Sequence, residues 1–419
     1  MRAVLIHLPL PRLINPCAQV PIGLMYLASI IGKRHEVAIR NYASKLTYEA
    51  IADLPEADFY GITATVTQLP QANRFCFLIK EKYRHAVTAI GGPGTYMQEF
   101  IDWDAVDSVC VGEGEGIILK MLEDAKEGRL QRAYCGPEVK DLDSLPYPNR
   151  DLFGFDMSPF AFSGDTRPSS TGLVTSRGCP FSCDFCASPK FGIKVRYRSP
   201  ESVYGEVKHV LDKYGIRQFR VIDDIFTLNK PRVMRICEMI KGLGVSYRVM
   251  CRTDCFDEEI ARVLQGSGCK EVEFGIESFD DDVLKLLNKK ATAADNMRTL
   301  KTAHDCGLNS RLLMMIRTPG QSVRTVPANI ECLQKARFHM VACGYFIPIP
   351  GSAIWRDPGK YGIEIIDRNI EHYDFLPYNR FGERPRDVIR ISGRSLEEVN
   401  KETEEFLGYL KSTNKMHRG

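Results

Sequence analysis

No run of about 18 uncharged apolar residues occurs in this sequence, so no stretch reads as a membrane-spanning helix. The opening Met1-Arg-Ala-Val-Leu-Ile-His-Leu-Pro9 lacks the cleavage pattern of an export signal and reads as a short strand. A formal net charge of +3 is too small to select nucleic acid or an anionic membrane. The regular spacings of a secreted disulfide framework are missing too. Outside one triplet the 14 cysteines are scattered, as expected for reduced thiols packed as small hydrophobes. The expectation is a cytoplasmic protein with neither membrane nor nucleic acid as partner.

What the chain does hold is a repeating order of short apolar strands and amphipathic helices. With 419 residues, 44% apolar and 26% charged, it has the size of two or three globular domains. Residues 1–135 give strand patterns at Ala3 to Leu8, Val37 to Tyr42, Phe59 to Val66, Val87 to Ile90 and Ser108 to Val111. Helical patterns lie near Gly23 to Ile31, Tyr48 to Ala52, Ala72 to Tyr83 and Gly116 to Ala125. This alternation predicts a doubly wound parallel sheet, whose ligands bind beyond the carboxyl ends of the strands. Glycines gather there: Gly91-Gly92-Pro93-Gly94 follows the fourth strand pattern and Gly112-Glu113-Gly114-Glu115-Gly116 the fifth.

Residues 136–169 lose periodicity and are rich in Pro, Gly and Asp, the composition of a linker. Residues 170–355 then give six more strand patterns, at Leu173 to Ser176, Phe219 to Asp223, Tyr247 to Cys251, Val272 to Ile276, Leu312 to Ile316 and Val341 to Phe346. The first helix among them is framed by Ser199 as N-cap, Pro200 at the first position and Gly215 as stop. Later helices are expected to stop at Gly242 or Gly244, Gly268 and Gly307. Six parallel units predict a partial (β/α)6 barrel working at its strands' carboxyl ends. Residues 356–419 are expected to form a helical extension, with a helix near Leu396 to Leu410.

Cys179, Cys183 and Cys186 follow the first of these strand patterns as C-x3-C-x2-C on a Gly/Pro-containing loop. Thiolates so close in sequence wrap one soft metal centre, and three of them leave a four-iron cluster with one open iron. A structural zinc or three unrelated thiols are the alternatives. Zinc wants a fourth ligand, and the next candidates, His209 and Cys237, fall within or beyond a predicted helix. Cys251, Cys255 and Cys269 read as core or loop thiols.

With Phe185 ahead of its last cysteine, the triplet resembles the motif of the radical S-adenosylmethionine (SAM) superfamily. That resemblance implies a [4Fe–4S] cluster on Cys179, Cys183 and Cys186, with SAM chelated on the open iron. It implies reductive cleavage of SAM to a 5'-deoxyadenosyl radical, the electron coming from a donor such as flavodoxin or ferredoxin. Phe185 is then expected beside the adenine, and Asp223 or Asp224 toward the SAM ammonium group. Arg252, Glu277 and Ser278 are expected toward its carboxylate and ribose. Gln321, in Pro319-Gly320-Gln321, departs from the family's Pro-Gly-Glu turn. Cys343 becomes a hydrogen-atom donor if it faces the cavity.

Residues 1–135, with Pro21-Ile-Gly-Leu-Met-Tyr-Leu-Ala28 and the two glycine runs, resemble the cobalamin-binding domain that precedes many radical SAM cores. This implies a nucleotide tail held by Gly91, Gly92, Gly94, Gly112, Glu113 and Gly114, with the lower cobalt face near Thr65 and Gln68. The Asp-x-His-x-x-Gly motif is absent, and His7 is followed by Leu8-Pro9-Leu10-Pro11. Cobalamin without a protein histidine ligand is therefore expected, with His7 a packing residue. The implied reaction is methylation of an unactivated carbon of a small-molecule or peptide-derived substrate lying between the two domains. Cobalamin enzymes that cyclise or oxidise without methyl transfer share these motifs. A methylthiotransferase would need a second cluster on Cys17, Cys76 and Cys110, of which Cys76 falls in a helix pattern and Cys110 in a strand pattern. Substrate identity and oligomeric state are not written in these motifs.

Overall fold

The computed structural model describes residues 1–9, 20–45, 47–153, 170–188, 194–374, 376 and 384–416. The chain divides into two compact units, Met1–Phe160 and Ala161–Gly419. Among the described residues no helix is long and apolar enough to cross a membrane.

Unit 1 runs β1 (Arg2–His7), α1 (Ile22–Ile31), β2 (Glu36–Asn41), α2 (Thr47–Asp53), β3 (Phe59–Thr63), α3 (Leu69–Lys82), β4 (Val87–Gly91), β5 (Ser108–Gly112), α4 (Ile118–Lys126) and β6 (Ala133–Gly136). The strands form one parallel sheet in the order β2-β1-β3-β4-β5-β6. From Ala3 to His7 every residue of β1 is buried, as a strand covered on both faces must be. Two expectations need correction. β3 stops at Thr63, not Val66, because the Thr65 and Gln68 side chains form a capping box that turns the chain into a helical segment. A sixth strand, β6, pairs with β5 and ends on the first residue of the expected linker. Four residues ending in Gly136-Pro137 carry too short an alternation to be read in advance.

Unit 2 begins with β7 (Ser170–Leu173), the short antiparallel pair β8 (Ser176–Arg177) and β9 (Arg196–Tyr197), and α5 (Pro200–Tyr214). It continues with β10 (Gln218–Val221), α6 (Lys230–Ile240), β11 (Ser246–Cys251), α7 (Glu258–Gly266), β12 (Cys269–Glu277), α8 (Asp281–Leu286), α9 (Ala293–Asp305), β13 (Asn309–Ile316), α10 (Thr325–Lys335) and β14 (Met340–Tyr345). After the sheet come α11 (Ala353–Arg356), β15 (Ile363–Ile365), β16 (Ile389–Ile391) and α12 (Leu396–Ser412). Six parallel strands in the order β14-β13-β12-β11-β10-β7 make the partial barrel. Helix α5 is framed as its sequence requires: the Ser199 hydroxyl accepts from Ser202 N, and Gly215 takes a left-handed φ of 68°.

Strand alternation sorts the side chains of this sheet. Val249, Val272, Phe274, Leu312 and Val341 face the helices in one apolar core with Val207, Ile236, Leu264, Leu300 and Phe406. The opposite face of β10 to β13 carries Arg220, Arg248, Glu271, Glu273 and Arg311, within ion-pairing distances of 3.5–3.9 Å. Burial, and then the neighbouring Arg248, push the Arg220 guanidinium down to about 10. Cys343 lies with Val341 and Tyr345 in the helix-side core, so the condition set for a hydrogen-donor role, a side chain on the opposite face, is not met. The first strand was expected at Leu173 to Ser176 but covers Ser170–Leu173; its buried polar start hides it from an apolar reading. The extension is not wholly helical, since β15 and β16 pair antiparallel before α12.

Candidate functional site

The cysteine loop leaves the carboxyl end of β7 and is fastened first at its base. Asp223, just past β10, is 2% exposed. It accepts from Thr175 N at 2.6 Å, Thr175 Oγ1 at 2.5 Å and Ser176 Oγ at 2.7 Å. Arg232 of α6 donates to the Thr175 and Arg198 carbonyls. A carboxylate buried this deeply needs such donors, and these three occupy both its oxygens. Asp224, one residue on, is exposed and close enough to Cys179 to raise its thiol. Although part of the side chain reaches solvent, the atoms crowded around its carboxyl, and then the adjacent Asp223, push Asp224 above the ordinary carboxylate range.

Along the loop, Cys186 N donates to the Cys183 carbonyl at 3.0 Å, and the Cys186 sulfur accepts from Ser188 N at 3.3 Å. Cys183 is buried, while Cys179 and Cys186 are half-buried. Burial pushes the Cys179 thiol up, a backbone bond from Phe181 opposes it, and the charges of Asp224, Cys186 and Cys183 push it further. Burial also raises Cys183, opposed by the charges of Lys289 and Arg252. Among the described residues no three His, Cys, Asp or Glu form a group for a single metal ion. A four-iron cluster asks for something else, one thiolate on each of three irons, and an all-sulfur donor set carried on one short loop fits that chemistry.

The working ends of the next strands close around this loop. Arg252, following β11, donates to both oxygens of Asp254 at 2.9 Å, to the Lys289 carbonyl at 2.5 Å and to the Cys183 sulfur at 3.4 Å. Its guanidinium also lies 3.8 Å from the Phe181 ring centroid. Glu277, at the end of β12, pairs with Lys289 at 2.8 Å, and both are buried. Ser278 Oγ meets Asn329 Oδ1 at 3.2 Å, and Asn296 donates to the Ile276 and Ser278 carbonyls. Phe185 packs against an apolar cluster that joins Val283 and Leu287 to Ile354, Tyr361 and Tyr373 of the C-terminal segment. The backbone of Asp184 bonds Leu287 and Ile354 on either side, at 3.0 and 3.1 Å.

Sequence reasoning reached Arg252, Glu277 and the cysteines but missed Lys289, Asn296 and Asn329. Lys289 stands in Asn288-Lys289-Lys290, and nothing in that run marks one lysine as buried. Cys251 and Cys269 belong to the helix-side core, with burial pushing Cys251 up to about 12. Cys76 is wholly buried in α3 and Cys110 lies in β5, while Cys17 is outside the described residues.

In unit 1 the strand-end glycines mostly serve loop packing. A Cβ on Gly92 or Gly94 would lie within 3 Å of backbone atoms of residues 64 and 65, and one on Gly112 would lie 2.6 Å from the Gly136 carbonyl. Gly114 faces Leu27, and Glu113 accepts from Val139 N at 2.5 Å. Gly91 alone of the expected set keeps a roomy face, its nearest neighbour the Cys110 Cβ at 3.9 Å. Gln68 is buried; its Oε1 caps Thr65 and its Nε2 donates to the Leu8 and Pro9 carbonyls. His7 is buried at the end of β1, a strand-end packing position. These loops form a glycine- and backbone-rich rim at the carboxyl ends of parallel strands, where such sheets take their ligands.

Known proteins share both units. The model of the Radical SAM superfamily matches residues 173–333, and that of the B12 binding domain matches residues 18–121. The chain is 31% identical over 360 residues to an uncharacterized methyltransferase of Pyrococcus horikoshii, covering 80% of this chain and 77% of that one. It is 24% identical over 351 residues to the anaerobic magnesium-protoporphyrin IX monomethyl ester cyclase of Rubrivivax gelatinosus, covering 77% of this chain and 60% of that one. In fold it is similar to the radical S-adenosylmethionine methyltransferase TsrM of Kitasatospora setae, solved with cobalamin and a [4Fe-4S] cluster. That match has a TM-score of 0.73 at 16% identity and covers 100% of this chain and 93% of the other.

Proposed function

Because this chain belongs to the radical SAM enzymes that carry a B12-binding domain, we propose that it methylates an unactivated carbon of a small-molecule or peptide-derived substrate. The observation that carries the reading is the cysteine loop itself: three thiols beyond the carboxyl end of β7, with Arg252 donating to both the Cys183 sulfur and the Lys289 carbonyl. When bound, the cluster with SAM supplies one-electron cleavage of SAM, and cobalamin supplies a transferable methyl group.

The chain's own residues divide the remaining work. Cys179, Cys183 and Cys186 hold the cluster. Asp224, exposed and near Cys179, receives the SAM ammonium group, whereas Asp223 is committed to Thr175 and Ser176 and fixes the base of the loop. Glu277 and Ser278 orient the ribose at the end of β12. Arg252 spends its donors on Asp254, Lys289 and Cys183, so it steadies the loop and does not clamp the SAM carboxylate. The open face of Gly91 admits the nucleotide tail of cobalamin, which has no histidine ligand from the protein.

Anaerobic purification followed by iron and corrin analysis tests this. The expected content is about four irons per chain and one corrin. Dithionite should release 5'-deoxyadenosine from SAM, and Cys183→Ala should lose both iron and that release. Iron without corrin, after reconstitution with hydroxocobalamin, overturns the methyltransferase reading. The likeness to a ring-closing cyclase supports a second reading, cobalamin-dependent cyclisation without methyl transfer. Label from SAM methyl carbon found in product separates the two.

A further inference from the structure

Residues Leu287, Asn288 and Lys289 run alongside the cysteine loop. The Leu287 carbonyl accepts from Asp184 N at 3.0 Å, Asn288 Nδ2 donates to the Ser182 carbonyl at 2.9 Å, and the Lys289 carbonyl accepts from Arg252 at 2.5 Å. Asn288 and Lys290 hold left-handed φ values of 52° and 57°, so the turn is shaped on both sides of Lys289. The Lys289 ammonium, 4% exposed, lies 2.8 Å from Glu277 Oε1.

Gly275 makes room for that pair. A Cβ at this position would come within 2.8 Å of both Glu277 Oε1 and Lys289 Nζ. Several ion pairs brace unit 2, but this one stands beside a cluster ligand: the Lys289 carbonyl accepts from Arg252, and Arg252 donates in turn to the Cys183 sulfur at 3.4 Å.

We propose that Lys289 is a positioning residue for the iron–sulfur centre: paired with Glu277 over Gly275, it sets how readily a cluster on Cys183 takes up an electron. The pair is close to neutral as a unit. Removing one member leaves a buried unit charge of known sign beside the cysteine loop, where charges interact far more strongly than in water. Cluster potentials respond to local net charge. Loss of the lysine leaves Glu277 negative and makes reduction harder; loss of the Glu277 charge leaves Lys289 positive and makes it easier.

The inference rests on the reading that the three thiols hold a cluster, and the test is an EPR-monitored redox titration of iron-loaded full-length protein. Lys289→Met should lower the one-electron reduction equilibrium at least tenfold, about 59 mV, and Glu277→Gln should shift it the other way. Lys289→Arg and the double variant should return close to the unsubstituted protein. A brace that merely holds the fold would not give opposite signs. An unmoved midpoint, or two shifts of the same sign, overturns the proposal. If Lys289→Met does not retain iron, Glu277→Gln decides alone, and the absence of an upward shift overturns it. Iron content separates the two failures: iron-free unsubstituted protein refutes the cluster reading, whereas iron-loaded protein with an unmoved midpoint refutes only the role of Lys289.

Discussion

Glu277 closes β12, Arg317 follows the neighbouring β13, and the two share one left-handed backbone conformation, with φ of 61° and 60°. Residues with a Cβ pay for that conformation, and such strain collects where side chains must be aimed. Here the same turn aims Glu277 at Lys289 beside the cysteine loop. It aims Arg317 the other way, over the Tyr345 ring at 4.6 Å and onto Asp387 and Thr403 of the C-terminal segment.

Arg317 is therefore an anchor. Its side chain is 7% exposed, so Asp387→Ala leaves a nearly buried cation without its carboxylate. The expected cost is about 3 kcal/mol in urea unfolding, the low end for breaking a buried pair because Asp387 is partly exposed. A change under a few tenths would show that Arg317 is held by its stacking alone.

Asp223 predicts a coupled loss. In Asp223→Asn one carboxylate oxygen becomes an amide donor facing the Thr175 and Ser176 donors. Unit 2 should lose about 2 to 3 kcal/mol, and reconstituted iron should dissociate faster. Unchanged iron retention in a destabilised variant would detach the base of the loop from the metal site.

Gly112 stands at φ 93°, with the Gly136 carbonyl where its side chain would be. Gly112→Ala should destabilise unit 1 by about 1 to 3 kcal/mol and reduce corrin uptake. Wild-type thermal unfolding and corrin stoichiometry in the variant would contradict this packing argument.

Asp124 gives a pH signature. It accepts from Lys120 at 2.6 Å and from Tyr134 at 2.8 Å, and these bonds hold its carboxyl below the ordinary value. A depressed folded pKa adds stability that is present above the unfolded value, about 3.9, and is lost as pH falls through the folded one. The gap in unfolding stability between the unsubstituted protein and Asp124→Asn should be steady near neutrality and shrink below about pH 4. A gap that widens on acidification would reverse the sign.

How much of this was legible follows from what each feature leaves in the sequence. Strand and helix order was readable because buried parallel strands are nearly continuous apolar runs, and the stop glycines need positive φ: Gly215, Gly242, Gly244, Gly268 and Gly307 all have it. Strand ends were less readable. β7 opens on Ser170 and Thr171, buried yet polar, and β6 lacks the length for a period. In the site the thiols announce themselves by spacing. Lys289 joins the site only through the turn after α8, where its carbonyl accepts from Arg252, and Asn296 and Asn329 join loops far apart in the chain, so no local pattern records them.

The cysteine loop also leans on residues far beyond the barrel. Phe185 packs against the apolar cluster that contains Ile354, Tyr361 and Tyr373, and the Asp184 carbonyl accepts from Ile354 N. A protein trimmed after its sixth barrel strand would retain every sulfur and both neighbouring cations yet lose the surface they rest on. For this enzyme the smallest unit able to assemble its metal centre is longer than the stretch its motifs delimit.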